Sequence, residues 1–270
     1  MVSLVGKVGS EFQVNTTTAD DQTNPAIAAL AGGGFVVTWM SSGQDGSGWG
    51  VYAQRYDAAG MPQGAEFRVN TYTTNQQEQP AITAFADGGF VVTWMSSGQD
   101  GSNYGVYAQR YDAAGMPQGG EFLVNTHTTN GQVYPTITTL ADGGFVIAWA
   151  SVGQDSSDTG IYAQRYSSTG VAQGNEFQVN TYVTNSQFSP AITALADDGF
   201  VVTWVSQSQD GDSYGVYAQR YNSSGGAQGT EFRVNTYTAN DQSYPTIAAL
   251  AGGGFVVTWT SVGQDGSSSG

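Results

Sequence analysis

Two sets of aromatic and amide side chains in this sequence have the chemistry to bind a sugar. In the first set, an aromatic residue follows the glutamine of a Gln-Asp pair by five residues. The aromatic residues are Trp49, Tyr104 and Tyr214, and the glutamines are Gln44, Gln99 and Gln209. The second set precedes an asparagine by three residues: Tyr72, Tyr182 and Tyr237. Aromatic faces pack on the apolar side of a pyranose and amides bond its hydroxyls, so both sets are predicted ligand-binding residues. The competing interpretation is that these aromatic residues only cover the ends of a β-core.

A set of aspartates in the same loops suggests metal binding as a second chemistry. They follow the glutamine at one repeated position: Asp45, Asp100, Asp155, Asp210 and Asp265. Calcium takes roughly six to eight oxygen ligands, and one repeated aspartate per loop supplies few of them. The competing interpretation is an Asx turn, in which the aspartate accepts backbone N–H bonds and the next residue takes a positive φ. Calcium is therefore kept as an alternative, and no other cofactor is indicated.

A catalytic function is weighed through the carboxylates. Glycoside hydrolysis needs two carboxyl groups in different environments. The recurring glutamates occupy one position in every unit: Glu11, Glu66, Glu121, Glu176 and Glu231. The innermost strands of the fold predicted below read PAIAAL, PAITAF, PTITTL, PAITAL and PTIAAL, without an acid, and the single histidine, His127, replaces a tyrosine of other copies. We therefore predict that the protein is not an enzyme, and a glycoside hydrolase is the less favoured alternative.

All of these residues belong to a unit of 55 residues that repeats without insertion or deletion. The tryptophans that mark it are Trp39, Trp94, Trp149, Trp204 and Trp259. In the unit from Pro80 to Tyr134, four stretches alternate with period two and are rich in β-branched and aromatic residues, which predicts strands. These stretches are Pro80–Phe85, Phe90–Met95, Val106–Tyr111 and Glu121–Asn125. No stretch has the 3.6-residue period of a helix.

Four short strands per unit, repeated five times, predict an all-β fold: a single five-bladed β-propeller of 55-residue, four-stranded blades. A linear β-solenoid is the competing architecture. The predicted repeats are 25–79, 80–134, 135–189, 190–244, and 245–270 completed by 1–24. The third-strand motif has four copies, because the sequence stops at Gly270 where the fifth would start. We expect Glu11–Asn15 to close the last blade, with Val2–Val5 in place of its third strand.

The most regular polar residues are expected to hold the fold. A glutamine precedes the inner-strand proline by three residues in every unit: Gln22, Gln77, Gln132, Gln187 and Gln242. Its amide, like that of the asparagine in Val-Asn-Thr, can satisfy backbone groups where strands stop. The arginine of each third strand is expected to pair with the glutamate of the fourth.

Composition excludes several classes of partner. The net charge is −15, and the seven Lys and Arg residues are spread over the units, so nucleic acid is not an expected partner. There is no cysteine, which excludes disulfides and thiolate metal sites. No apolar run approaches the roughly 18 residues that suggest a membrane span, and MVSLVGKVGS lacks the apolar core of a signal peptide.

The motifs DGGFVVTW, GQDG, GVYAQRYDAAG and GxEFxVNT together resemble repeats of large secreted bacterial adhesins of the RTX, or hemolysin-type calcium-binding, kind. The resemblance covers essentially the whole chain and implies an extracellular protein exported without an N-terminal signal. The calcium-binding nonapeptide GGxGxDxUx is missing, so calcium binding by that route is not implied. Five units are also similar in architecture to five-bladed propeller lectins of the tachylectin-2 sort.

The function predicted from the sequence is a non-catalytic, multivalent binding or adhesion module of lectin-like, carbohydrate-binding character. Repetition favours this interpretation because weak sites copied around a ring give strong avidity. The expected partners are glycans, or cell-surface or matrix polysaccharide, bound by a monomer or by part of a longer chain. The alternatives are a structural repeat of a secreted adhesin with loop calcium sites, and a glycoside hydrolase.

Overall fold

The computed structural model describes residues 10–266 and 268–270. This part of the chain contains eighteen strands and no helix, which confirms the all-β prediction. The segment Val2–Val5 lies outside the described residues, so its predicted role has no structural counterpart here. Over the same described ranges, no helix could serve as a membrane span.

The strands form four antiparallel sheets of four strands and a fifth sheet of two, and sequence neighbours pair throughout. The first sheet contains β1 (Gln22–Ala29), β2 (Phe35–Ser42), β3 (Trp49–Tyr56) and β4 (Phe67–Arg68). The second contains β5 (Gln77–Ala84), β6 (Phe90–Ser97), β7 (Tyr104–Tyr111) and β8 (Phe122–Leu123). The third contains β9 (Gln132–Thr139), β10 (Phe145–Val152), β11 (Thr159–Tyr166) and β12 (Phe177–Gln178). The fourth contains β13 (Gln187–Ala194), β14 (Phe200–Gln207), β15 (Tyr214–Tyr221) and β16 (Ala227–Arg233), and the fifth contains β17 (Gln242–Ala249) and β18 (Phe255–Ser261).

Each inner strand begins three residues before its predicted start, because it contains a bulge ahead of the proline. In β5 the pairing register shifts between Glu78 and Ala81, and Gln79 has a φ of 54°. The left-handed conformation occurs at the same position in every unit: Asn24, Gln79, Tyr134, Ser189 and Tyr244. A non-glycine residue with this φ is uncommon, and the bulge turns its side chain out of the regular alternation.

The second strand of each unit is apolar on both faces because it is buried between two neighbouring sheets. Phe90, Val92 and Trp94 of β6 pack against Val36 and other residues of the first sheet. Val91, on the opposite face, belongs to the core shared with the third sheet. All four of these β6 side chains are fully buried, and burying each contributes roughly 1.5–3 kcal/mol. The sheets therefore stabilise one another face to face.

Buried amides connect the ends of strands, as predicted. Asn70 accepts the backbone N–H of Val51 at 2.7 Å and donates to the side-chain oxygen of Gln77 at 3.2 Å. Gln77 in turn donates to the carbonyl of Thr74 at 2.9 Å. These bonds hold the end of one sheet's last strand against the start of the next sheet's inner strand.

A carboxylate and a phenol connect each of the first four sheets to the segment that precedes it in the chain. Glu121 accepts the backbone N–H of Thr71 at 2.6 Å, and Tyr111 donates its hydroxyl to the carbonyl of Val69 at 3.3 Å. The carboxylate contact, which we call the glutamate clamp, occurs four times: Glu66 with Thr16, Glu121 with Thr71, Glu176 with Thr126, and Glu231 with Thr181. Because this glutamate is used between sheets, its repetition is explained by folding.

The predicted pairing of the third-strand arginine with this glutamate is wrong. The Arg55 guanidinium instead donates to the carbonyls of Ala113 and Ala114 in the next sheet, at 2.6 Å for Ala114. In the fourth sheet, Arg220 forms an ion pair with Asp197 of the inner hairpin. The register that pairs Ala53 with Phe67 puts Glu66 nearest Gln54 rather than Arg55, so the arginine and the glutamate do not face each other and the arginine reaches other acceptors.

Neighbouring inner strands pack along the series β1, β5, β9, β13 and β17, and the same packing is not formed between β17 and β1. Residues 11–15 form no strand and contact the first sheet, where the Phe12 and Tyr56 ring centroids are 5.2 Å apart. The Tyr56 hydroxyl also donates to the carbonyl of Val14 at 3.0 Å. Within the described ranges, β18 pairs with β17 alone among the strands. Five-blade closure by the two termini therefore stays a prediction.

Candidate functional site

The predicted ligand-binding residues all lie at one end of the sheets. Antiparallel pairing places three kinds of segment there: the loop after each second strand, the linker between sheets, and the first residues of each inner strand. We call this end the loop end. It contains both predicted aromatic sets and the repeated Gln-Asp pairs, but it does not gather them into one cluster.

The Gln-Asp loops are held by their own hydrogen bonds. Asp45 accepts the backbone N–H of Ser47 at 3.1 Å, and Gly46 has a φ of 90°, which is the Asx turn considered above. The glutamines donate to the clamp glutamates, as in the 2.6 Å bond from Gln44 to Glu66. The other bonds of this kind join Gln99 to Glu121, Gln154 to Glu176, and Gln209 to Glu231.

Calcium binding at these loops stays an untested prediction. In the described part of the chain, no group of three or more acidic or histidine side chains is arranged to hold a metal ion. The predicted aspartates Asp45, Asp100, Asp155 and Asp210 each accept a backbone N–H from the residue two positions later. One carboxylate oxygen per loop is thus used by the turn itself.

The linker tyrosines pack singly against the next sheet. Tyr72 lies close enough to Tyr107 to help raise its pKa to about 12, after burial and the carboxylates Asp100 and Glu121. Tyr182 is related to Tyr217 in the same way. These tyrosines are only partly exposed, and they lie two units apart in the chain. Each tyrosine thus lies against the end of a single sheet, and its sugar-binding role stays a prediction.

The three aromatic residues of the first set begin the third strands of their sheets and have different surroundings. The Trp49 backbone N–H donates to the side-chain oxygen of Gln76 at 2.8 Å. The Tyr104 hydroxyl donates to Glu78 at 3.0 Å. Burial, followed by the Glu78 carboxylate, raises the pKa of Tyr104 to about 12. Tyr214 packs edge-on against Phe188, with the ring centroids 5.4 Å apart.

Tyr214 is the predicted residue that lines a pocket of about 560 Å³ at the loop end, formed by the third, fourth and fifth sheets. We call it the axial pocket, because the inner strands contribute to its wall. Its aromatic wall consists of Tyr134, Phe188, Tyr214 and Tyr244, and Asp241 supplies a carboxylate. Tyr134 and Tyr244 are the bulge residues of β9 and β17, so their left-handed backbone places them at the wall. Their side chains are 51% and 74% exposed, which leaves their faces open to a ligand.

Two further carboxylates lie near the axial pocket. Asp212 accepts the backbone N–H of Asn240, the residue before Asp241, at 3.0 Å. Glu78 holds the hydroxyl of Tyr104, and Tyr104 lies close enough to Tyr134 for that ring to affect its pKa. The lining of the pocket itself thus has aromatic faces and one carboxylate, Asp241, a combination suited to a sugar ring and its hydroxyls.

Glu78 and Asp241 were not predicted from the sequence, because neither belongs to the acids that recur in every repeat. Glu78 occupies a position that is Thr23, Val133, Phe188 and Ser243 in the other units. Asp241 corresponds to Asp21, Gln76, Gly131 and Ser186. The signal that could have found the site is a residue that differs from its counterparts in the other units. A site that occurs once in a protein built of repeats must contain such residues.

The fold is similar to that of solved glycoside-cleaving proteins. An α-L-arabinanase of Penicillium chrysogenum, solved with arabinobiose, matches with a TM-score of 0.61 and 15% identity over 88% of this chain and 74% of its own. The GH93 α-L-arabinofuranosidase of Fusarium graminearum, also with arabinobiose, matches with a TM-score of 0.59 and 14% identity over 92% and 79%. A Dyadobacter fermentans protein of unknown function matches with a TM-score of 0.62 and 10% identity over 89% and 75%. At these identities the likeness shows the β-propeller fold.

No protein-family model matches the sequence, and no curated protein matches it either. The resemblance to RTX adhesins and extracellular export stay predictions from the motifs. The prediction of a non-catalytic, lectin-like module that is not an enzyme is contradicted by the comparisons, because several solved structures that share the fold are glycoside hydrolases. Its physical error was to look for catalytic acids on the inner strands and at positions common to all units, whereas Asp241, which lines the axial pocket, precedes an inner strand and recurs only as Asp21.

Proposed function

We propose that this protein is a glycoside hydrolase that acts on an oligosaccharide bound in the axial pocket. The observation that carries the proposal is the convergence of four aromatic side chains and Asp241 around about 560 Å³. That volume lies in the range of small-molecule sites, roughly 300–1,000 Å³. The arabinobiose complexes of proteins with this fold support a glycan as the ligand.

The aromatic wall would bind and orient the sugar. Tyr134 and Tyr244 present exposed faces from the third and fifth sheets. Phe188 and Tyr214 of the fourth sheet form an edge-on pair in the same lining. Such faces contact the C–H side of a sugar ring and leave its hydroxyls to polar partners. Asp241 and Ser243 supply polar groups at the same wall.

Asp241 is the carboxylate that we assign to the reacting end of the sugar. Glycosidic bond cleavage uses one carboxyl group to protonate the leaving oxygen and a second carboxylate to activate water or attack the sugar. Asp212 and Glu78 are the two neighbouring candidates for the second group. Tyr104 holds the Glu78 carboxylate in place with a 3.0 Å bond, which limits its rotamers.

The test is release of reducing sugar from arabinan, arabinobiose and a panel of aryl glycosides. The wild-type protein is expected to cleave at least one of them, and Asp241→Asn is expected to lower kcat about a hundredfold or more, as loss of an acid–base group does. KM should change little, because the aromatic wall remains.

Asp21→Asn is the matched control, because Asp21 occupies the same repeat position in the first sheet, outside the axial pocket. It should keep wild-type activity. A wild-type protein that cleaves nothing on the panel, or an Asp241→Asn variant as active as the control, would contradict the proposal.

A further inference from the structure

The backbone around Asp241 is held by contacts from two sheets. The Asp212 carboxylate accepts the backbone N–H of Asn240 at 3.0 Å. Asp241 itself forms a parallel β-bridge with Tyr214 of the fourth sheet, and its carbonyl accepts the N–H of Val262 in the fifth sheet at 2.9 Å. The linker therefore presents Asp241 to the axial pocket from a backbone that is fixed on both sides.

Two of these three contacts belong to the repeat. At the junction between the third and fourth sheets, Thr159 forms the same parallel bridge with Ser186, and the Ser186 carbonyl accepts the N–H of Gln207 at 2.9 Å. These contacts occur where no carboxylate is present at the Asp241 position, so folding alone accounts for them. The bond from Asn240 to Asp212 is the contact that needs another explanation.

Asp212 is a departure from the repeat. In the loops that the structure describes there, the serine hydroxyl donates to the carbonyl of the linker asparagine, from Ser157 to Asn185 at 3.2 Å and from Ser102 to Asn130 at 3.4 Å. A carboxylate can only accept, so at Asp212 the bond is reversed and holds the N–H of the asparagine instead. Serine occupies this position in every other unit: Ser47, Ser102, Ser157 and Ser267.

The reversed bond acts on the peptide that sets the direction of Asp241. Asn240 has a φ of 61°, so the chain turns immediately before Asp241. A hydrogen bond to an ionised acceptor is stronger than one between neutral groups. Asp212 and Asn240 are both exposed, so water competes for the bond and its loss should have a moderate effect.

We infer that Asp212 is a positioning residue for Asp241. It holds the Asn240 peptide so that the Asp241 carboxyl group meets the glycosidic oxygen of a sugar bound in the axial pocket. The inference rests on the proposed function, and it gives Asp212 a role through the backbone instead of the role of second carboxylate. Such a residue matters because a displacement of about 1 Å at a reacting group can cost a hundredfold in rate.

The test compares two variants at Asp212 on the aryl glycoside that the wild-type protein cleaves fastest. Asp212→Ser restores the residue of the other units, so it should fold and melt like the wild-type protein. It loses the acceptor, and kcat should fall about tenfold with KM unchanged, as expected for one hydrogen bond. Asp212→Asn keeps a side-chain oxygen that accepts the same N–H and should retain most of the wild-type kcat.

Amide hydrogen exchange supplies a readout that does not depend on activity. The Asn240 amide should exchange more slowly in the wild-type protein and in Asp212→Asn than in Asp212→Ser. Ser157→Ala is the matched control, because it removes the corresponding bond in the third sheet, and it should keep the wild-type kcat.

The possible failures are distinguishable. A wild-type protein that cleaves no substrate of the panel would overturn the proposed function and this inference together. Cleavage by the wild-type protein with Asp212→Ser equally active, or with equal exchange at Asn240, would overturn this inference alone. An Asp212→Asn variant as inactive as Asp241→Asn would also overturn it, because Asp212 would then act as the second catalytic carboxylate.

Discussion

The Glu121 carboxylate accepts the backbone N–H of Thr71 at 2.6 Å across the boundary between the first and second sheets. The same carboxylate accepts a 2.6 Å bond from Gln99 of its own sheet. One side chain therefore joins the linker that leaves one sheet to the loop of the next. This contact couples the position of neighbouring sheets to the conformation of the Gln-Asp loop.

Replacing the clamp glutamate should loosen this boundary. Glu121→Ala leaves the donors of Thr71 and Gln99 without their acceptor, and we expect the free energy of unfolding to fall by about 1.5–3 kcal/mol. Urea unfolding followed by tryptophan fluorescence measures the change. Glu11→Ala in dilute solution is the control, because Glu11 makes no clamp within its own described residues, and its midpoint should be unchanged. Equal midpoints for both variants would show that the clamp does not stabilise the fold.

The glycine that ends each inner hairpin should be required only where a third strand is present. A Cβ on Gly199 would lie 2.4 Å from the carbonyl oxygen of Tyr221, a backbone atom that cannot move aside. Gly254 is the same repeat position in the fifth sheet, where the nearest atom would be the Leu250 side chain at 3.9 Å. We expect Gly199→Ala to destabilise the protein by about 1–3 kcal/mol, as overpacking does, and Gly254→Ala to be tolerated. Thermal unfolding of the pair tests this, and equal losses would contradict it.

The repeat made most of the fold predictable, and the exceptions have local causes. Period-two alternation predicted Phe90–Met95, and the strand runs from Phe90 to Ser97. It missed the start of β5, because the bulge at Gln79 interrupts the alternation before the proline. It predicted too long a fourth strand: after the bond from the Val124 N–H to the Val106 carbonyl, the Asn125 side chain accepts the Val106 N–H at 2.7 Å in place of a backbone carbonyl.

The site was less predictable because its residues depend on which units come together. Tyr214 was recognised as a ligand-binding candidate from its loop. Its neighbours in the axial pocket, Tyr134, Tyr244 and Asp241, are contributed by other units. A pattern shared by all repeats identifies what builds each sheet, whereas a pocket between three sheets depends on the residues by which those sheets differ. Only the spatial order of the sheets brings those residues together.

Acid should weaken the attachment of the N-terminal segment to the first sheet through Glu66. Burial raises the pKa of this carboxyl group, but hydrogen bonds from Thr16, Gln44 and Thr17 together outweigh burial, and the pKa is lowered. A group with a lowered folded-state pKa contributes stability above its unfolded value of about 4.3, and this contribution is lost as pH falls through the folded value. Glu66→Gln should therefore show a smaller loss of stability on acidification than the wild-type protein. Urea midpoints at neutral and acidic pH measure this, and parallel losses would contradict it.

Asp100 distinguishes a self-contained turn from a calcium site. Its carboxylate accepts the Ser102 backbone N–H at 3.0 Å, and an asparagine oxygen can accept the same bond. We expect Asp100→Asn to keep the wild-type melting temperature and Asp100→Ala to lose about 0.5–1.5 kcal/mol, the usual contribution of a hydrogen bond. A calcium site would require the charge, and calcium bound to the folded state would raise the melting temperature with its concentration. Melting curves of all three proteins, with EDTA and with added calcium, distinguish the two. A self-contained turn predicts that calcium leaves the melting temperature unchanged. An increase in the wild-type melting temperature that Asp100→Asn abolishes would establish the metal site.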